Sequence, residues 1–461
     1  MHKPLPALLL RLAVSATLIA AAITFTRPPA AAQAQTNPAA AKLKWTLKGH
    51  KQSIVEILFS PDGEIIATGS EDGTVRLWNA RTGQARATLK LSKKLEWLLL
   101  VWSPDSRQLA TCWYHGFGIT KEANIWDAQT GARLSTLTAH GSSLNNFEWS
   151  PDGSAFLTAS DDGTVKLWDA ATWHLWRTIT YQQVDVRRET GSLLAAIFTR
   201  KKIPDRRNIR ARFADRGRTV VIYSANELPQ LWSVEGQYIA PLFTPAERIA
   251  QSNISYLYHT PPLLSRDGRL IATTTHDGDT RLWDARTGQL RRAFEVESAH
   301  GFSPDGHTLI TSALETNVVL KLWDVETGER KQVWKNIVDS ASRIYWSPEG
   351  RSLIVNGGGA MKPRLIDPNT GAVKARLPYE GCSYSLFSEN LGCEPFIYSA
   401  DGRVASKLTG TLKLFSTATG EPLATLDGTN RRAAFSPLDA RLLAARSKNR
   451  KSLMLFEVRA P

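Results

Sequence analysis

Residues able to do chemistry are scattered through this chain rather than gathered. His259, His276, His300 and His307 are the densest run of potential metal ligands. A zinc site repeats a fixed ligand spacing or converges from matching positions. These four occupy unmatched positions in their segments, which makes them structural or solvent-facing histidines. The string His276-Asp277-Gly278-Asp279-Thr280 holds too few carboxylates for a calcium loop. The sequence has no HExxH helix, CxxC pair, glycine-rich phosphate loop or GxSxG elbow. Most Asp and Glu residues fall in turns, where they accept local backbone hydrogen bonds. No catalytic residue, metal or cofactor is expected from these residues. Of three cysteines, Cys382 and Cys393 would close a short disulfide in an oxidising compartment or remain two unpaired thiols. Cys112, in Leu-Ala-Thr-Cys-Trp, reads as a small core residue.

Charge is gathered where catalytic groups are not. Between Arg187 and Arg218 stand eleven Lys or Arg against Glu189, Asp205 and Asp215, a net +8 in a chain of net +14. Arg187, Arg188, Arg200, Lys201, Lys202, Arg206, Arg207, Arg210 and Arg212 are therefore candidates for binding an anionic polymer or a membrane surface. The competing reading is a solvated loop that keeps a basic protein soluble. Tyr256 and Tyr258, in Ser-Tyr-Leu-Tyr-His, are candidate aromatic anchors or the start of a strand.

The elements around these residues are read from repetition. An aromatic-Ser-Pro-Asp-Gly turn recurs nine times in variants, from Phe59–Gly63 through Trp149–Gly153 and Phe302–Gly306 to Phe435–Asp439. Proline pre-sets φ at the first corner and the closing glycine takes a positive one. Each turn leads into an apolar run such as EIIATGS. A second turn follows, and then a run ending in an aromatic or its substitute, as in VRLWN, VKLWD or LKLFS. A Thr-Gly turn and a fourth short strand complete most units. Four strands and three tight turns in the mid-forties of residues fit one propeller blade.

These units resemble WD repeats. The Trp-Asp pair stands at 126–127, 168–169, 283–284 and 323–324, and Gly49-His50 supplies the Gly-His dipeptide. The resemblance implies an all-β fold, a propeller of four-stranded antiparallel blades. It also implies tetrads of His, Ser or Thr, Asp and Trp that tie each blade together. Carried over by position, these are His50, Ser70, Asp72 and Trp78, then His140, Ser160, Asp162 and Trp168. A third unit keeps Thr275, Asp277 and Trp283 without a matching His, and Ile366, Phe415 and Phe456 replace Trp in the last three. Two residues before the Trp position stand Arg76, Lys166, Arg281, Lys321, Arg364 and Lys413. This position is commonly basic in the family, so long stems packing on neighbouring blades account for it better than a ligand site.

Nine units predict nine blades in one ring. The strand Lys44–Lys48 would pair with the strand at Met454–Val458 to close it and remove both open edges. Residues 1–34 read as a signal peptide: Lys3 and Arg11 early, an uncharged apolar run from Leu12 to Phe25, and Ala32-Gln33-Ala34 as a cleavage site. That predicts export to a periplasm or beyond the cell. A flexible leader over 35–41 and the propeller over 42–461 follow. Three junctions between units are long, at about 181–208, 244–256 and 378–395. Function in a propeller sits on its loops. The expectation is a non-catalytic, monomeric scaffold binding unidentified proteins through the face that bears these junctions. The second reading is the anionic polymer or lipid headgroup binder, with nucleic acid disfavoured by export and by the lack of a base-reading motif. The third is an enzyme at the channel mouth.

Overall fold

Each repeat folds around a turn that closes on itself. In the first copy the Ser60 hydroxyl donates to Asp62 at 2.5 Å and accepts from the Ile65 amide at 2.9 Å, while Gly63 takes φ +68°. The same serine-to-aspartate bond recurs at Ser103–Asp105, Ser150–Asp152, Ser265–Asp267, Ser303–Asp305 and Ser399–Asp401. A short side chain thus supplies the turn's internal bonds, and the flanking apolar runs are left to pair as strands.

A computed structural model describes residues 40–91, 97–115, 118–138, 140–181, 208–224, 227–243, 261–275, 278–295, 297–314, 318–335, 337, 341–357, 362–378, 396–408 and 410–459. All of them lie in the second of two compact units, Met1–Gln35 and Thr36–Pro461. The described residues form nine antiparallel sheets, and the only helical element among them is a 3-10 turn at Asp215–Gly217. Blade 1 is the meander Ile54–Phe59, Ile65–Ser70, Thr74–Asn79 and Ala85–Lys90. Blades 2 to 8 follow over 97–137, 144–180, 210–241, 263–294, 298–335, 341–376 and 396–426, with an extra two-residue strand, Gly118–Ile119, in blade 2.

Blade 9 takes three strands from the end of the chain, Thr429–Phe435, Leu442–Ser447 and Ser452–Val458, and its fourth from Ala41–Lys48. That strand runs antiparallel to Ser452–Val458, from Ala41 opposite Val458 to Lys48 opposite Ser452. First strands of adjacent blades lie against each other, those of blade 1 against blades 2 and 9. The core is a circle of nine apolar layers, each shared by two neighbouring blades. Ile66, Trp78 and Phe59 meet Ala444 and Leu455 of blade 9, while Ala67, Val75 and Leu77 meet Leu98 and Leu100 of blade 2. Both faces of a second strand are therefore buried, so Ile65–Ser70 reads as an unbroken buried run.

Candidate functional site

In a four-stranded meander, the junctions between blades and the turns between second and third strands share one rim. Cross-links confirm the geometry on described residues. The Glu71 amide in such a turn donates to Ser53 O at the entry to its own blade, and Asp161 does so to Ser143 O, each at 3.0 Å. The Ser-Pro-Asp-Gly turns lie on the opposite rim, where the Asp62 amide donates to Ser106 of blade 2 at 3.0 Å.

Each long junction joins a fourth strand to the next first strand, so the described ends of all three lie on the junction rim. Residues 182–207, 244–260 and 379–395 lie outside the described residues, and with them Arg187, Arg188, Arg200, Lys201, Lys202, Arg206, Arg207, Tyr256, Tyr258, Cys382 and Cys393. The proposed signal peptide lies outside them too. The posts of the first junction are described. Tyr181 is buried and its hydroxyl donates to Leu228 O at 2.8 Å. At the other end the Asn208 amide donates to Asp161 at 3.0 Å, and Asn145 Nδ2 bonds both Asp161 and Ile209 O.

Arg210 and Arg212 do not belong to the basic loop. They stand on Arg210–Ala214, the first strand of blade 4. Ile209, Ala211 and Phe213 alternate with them and are buried against blade 3, which draws the arginines into the strand. Arg212 Nε lies 3.4 Å from Glu148, whose other oxygen accepts the Phe213 amide at 3.2 Å. Asn146 likewise bonds the amide and carbonyl of Ala211, at 3.0 and 2.7 Å. Side chains of blade 3 thus satisfy the open edge of blade 4. Burial pushes the Glu148 carboxyl above its usual range, opposed by Arg212. Without Arg210 and Arg212, the stretch 187–207 still holds seven basic residues against two acids.

Beneath the junction rim of blade 1, Trp78 Nε1 donates to Thr68 Oγ1 at 2.8 Å, Thr68 Oγ1 lies 2.9 Å from His50 Nε2, and His50 Nδ1 lies 3.1 Å from Asp72. Blade 3 repeats the chain through Trp168, Thr158, His140 and Asp162 at 3.0, 2.8 and 2.9 Å. A carboxylate only accepts, so the imidazole proton belongs on Nδ1 and Nε2 accepts from the threonine. Burial lowers the pKa of His50 and of His140, with the paired carboxylates opposing it. Burial would raise Asp72, but bonds from Thr74, the Lys51 amide and His50 hold it below the usual value.

The hydroxyl in each chain is Thr68 or Thr158, which corrects the assignment to Ser70 and Ser160. Trp78 stands opposite Ile66, so its ring reaches the diagonal neighbour Thr68; Ser70 is two residues further on. Ser70 instead accepts the Asp72 amide and donates to Gln52 O, both at 3.2 Å, within the turn. Trp283 likewise bonds Thr273 rather than Thr275, whose hydroxyl serves its own turn, and Asp277 lies outside the described residues.

Blade 6 carries a substitute that sequence reasoning missed. Trp323 Nε1 donates to Thr311 at 2.8 Å, and Thr311 donates to the buried Glu297, whose other oxygen takes Lys321 Nζ at 2.5 Å. A carboxylate–ammonium pair fills the place of histidine and aspartate. The signal was Lys321 at the basic position before Trp, but Glu297 matches no motif. Three other cations of that position also serve the blades: Arg76 lies 6.0 Å from the Trp78 ring centroid, Lys166 bonds Thr178, and Arg281 pairs with Asp279.

His300 bonds Ser312 at 2.7 Å, and burial lowers its pKa to about 4. His307 stands in a turn of the opposite rim, and His259 and His276 lie outside the described residues. Among the described residues no three His, Cys, Asp or Glu gather as a metal site. Cys112 is buried and its thiol is pushed up to about 11 by burial, which suits packing rather than reactivity.

A closed ring of nine blades, five of them tied by a Trp–Thr bond, defines a β-propeller. The family model for the WD domain, G-beta repeat, matches residues 41–79 and 131–169. Protein tipD of Dictyostelium discoideum is 24% identical over 326 residues, 68% of this chain and 46% of that protein. COMPASS component SWD3 of Saccharomyces cerevisiae is 23% identical over 286 residues, 59% of this chain and 83% of its own length. Transducin beta-like protein 2 of Mus musculus is 32% identical over 130 residues, 26% of this chain and 28% of its own length. This chain thus spans less than half of tipD. Among solved structures, the computationally designed Ika8 protein aligns with a TM-score of 0.47 and 18% identity, over 90% of this chain and 98% of that one. The chain is a WD-repeat β-propeller.

Proposed function

We propose that this propeller is a non-catalytic scaffold that binds partner proteins outside the cytoplasm through its junction rim. One observation carries the reading: the three longest junctions between blades all start and end on that rim, and the posts of the first are fixed by Tyr181 and Asn208. A rigid ring that holds variable loops at fixed points is built for recognition. The relative SWD3 is named as a component of an assembly, which accords with this. From the end of a fourth strand to the serine position of the next turn is 9–13 residues in the other blades, but 34 from Thr180 to Ala214, 22 from Phe243 to Ser265 and 22 from Leu377 to Ser399. Shortening these three spans to 13 and comparing captured proteins tests it. Unchanged capture contradicts it. N-terminal sequencing of the exported chain should start at Gln35 if the leader is a signal peptide.

The second reading, an anionic polymer or lipid headgroup binder, is favoured by the seven cations within 187–207. It predicts steep loss of binding with salt and loss on changing Arg206 and Arg207 to Ser. Arg210 and Arg212 are excluded from that test because Arg212 braces blade 3.

A further inference from the structure

We infer that the seam between blades 9 and 1 is a docking surface for an acidic protein segment, an inference that rests on the scaffold reading above and gives one of its partners a chemistry. The turn between the second and third strands of blade 9 is Ser447-Lys448-Asn449-Arg450-Lys451-Ser452. In blades 1 and 3 the corresponding turns begin Ser70-Glu71-Asp72-Gly73 and Ser160-Asp161-Asp162-Gly163. The local bonding is that of the Ser-Pro-Asp-Gly turns: the Ser452 amide donates to Ser447 Oγ at 3.1 Å as Ile65 does to Ser60, whereas Ser70 bonds Gln52 O and the Asp72 amide. Asn449 Oδ1 accepts the Ser447 hydroxyl at 2.6 Å and the Lys451 amide at 3.0 Å, and the Arg450 amide donates to Ser447 O at 2.8 Å as Gly73 does to Ser70 O at 3.1 Å. Blade 9 thus fills the same place with a different turn, one residue longer and of opposite charge.

Arg450 holds φ +64°, where Gly73 and Gly163 hold +83°. Glycine adopts that region freely and arginine does so under strain. A cation therefore stands where the fold alone would favour glycine.

The turn abuts the entry to blade 1, because Arg450 O accepts the Ile54 amide at 2.7 Å. That entry carries Lys51, and the strand leading to it ends at Lys48 opposite Ser452. Lys48, Lys51, Lys448, Arg450 and Lys451 are all exposed. None of the five enters an ion pair among the described residues, whereas Arg81, Arg212, Arg291, Lys331, Lys374 and Arg432 each do. The carboxylate beside them, Asp72, is taken up by His50, Thr74 and the Lys51 amide. Five unpaired cations on the junction rim fit a run of carboxylates. Neither turn carries an exposed large apolar side chain for lipid insertion, nor an aromatic platform for stacking bases. An acidic polypeptide is the polyanion this surface suits.

The test uses the full chain and a fluorescein-labelled peptide of alternating Glu and Asp, followed by anisotropy. The variant K448E/N449D/R450G places Glu-Asp-Gly on the serine-to-Asx frame that Ser60-Pro61-Asp62-Gly63 already folds in this ring, and R450G alone separates relief of strain from loss of most of the charge. The peptide should bind, weaken as salt rises, lose at least tenfold in affinity to the triple variant, and lose less to R450G. Equal affinity for parent and triple variant overturns the inference. So does binding of phosphatidylglycerol vesicles or a single-stranded oligonucleotide with no binding of the peptide. If the triple variant still captures every protein that the parent does, while shortened junctions lose them, the inference fails and the scaffold reading stands. If shortened junctions lose nothing, the scaffold reading itself fails.

Discussion

Blades 1 and 3 join their second and third strands through Trp, Thr, His and Asp, whereas blades 7, 8 and 9 place Ile366, Phe415 and Phe456 at the same point. The residue that would receive the indole N–H changes in step. Register sets it two positions past the partner of the aromatic, which gives Thr68 and Thr158 in blades 1 and 3, but Val355, Lys407 and Ala445 in blades 7 to 9. Blades 2, 5 and 6 keep both members, as Trp126–Thr111, Trp283–Thr273 and Trp323–Thr311. Blade 4 has Ile222 there, and Trp232 bonds Gln230 instead at 3.1 Å. Outside blade 4, where Gln230 takes over as acceptor, the donor and acceptor are kept or discarded together, because either one alone would be a buried, unsatisfied polar group.

The largest expected effect tests the intermediate case. Glu297→Leu in blade 6 leaves Lys321 without its carboxylate and should cost about 3–5 kcal/mol by urea unfolding. A cost under about 1 kcal/mol would show that blade 6 is held by apolar packing, as blades 7 to 9 are. Next, Thr158→Val strands both Trp168 Nε1 and His140 Nε2 and should cost about 1–3 kcal/mol. The mirror change, Val355→Thr in blade 7, buries a hydroxyl beside Ile366 and should cost a similar 1–3 kcal/mol. Adding Trp168→Phe to Thr158→Val should cost less than the two single changes summed; strict additivity would break the coupling.

Acid should separate the same two regions. Folding lowers the pKa of His50 and His140 below the free value of 6.5, so their contribution is present above that pH and is lost as pH falls through the folded value. Asp72 and Asp162, lowered below 3.8, add a further loss at lower pH. Amide exchange in blades 1 and 3 should therefore accelerate below about pH 6.5, relative to blades 7 to 9, beyond the intrinsic pH dependence of exchange. Equal acceleration in both regions would contradict this. The smallest effect is Arg450→Gly, which should raise stability by at most about 1 kcal/mol, because relief of strain is offset by glycine's chain entropy.

Much of this was legible from residue order. Ser-Pro-Asp-Gly turns at a regular spacing gave away the blades, and KWTLK with LMLFE gave away the closing pair, because both are signals within a few residues. What escaped depended on register across strands. Thr68 and Ser70 point to the same face, and only the pairing of Trp78 with Ile66 separates them. Arg210 and Arg212 looked like part of a charge run, although Ile209, Ala211 and Phe213 between them already had the alternation of a strand. Glu297 was invisible to motif reading because a carboxylate can stand in for an imidazole only when a lysine from another strand faces it.

Hydrogen exchange across the ring, with and without a protein captured by the full chain, tests the central claim most directly. Protection should fall on the junctions between blades and on the turns between second and third strands, including Ser447–Ser452. Protection at the Ser-Pro-Asp-Gly turns instead, with the junction rim unchanged, would contradict it.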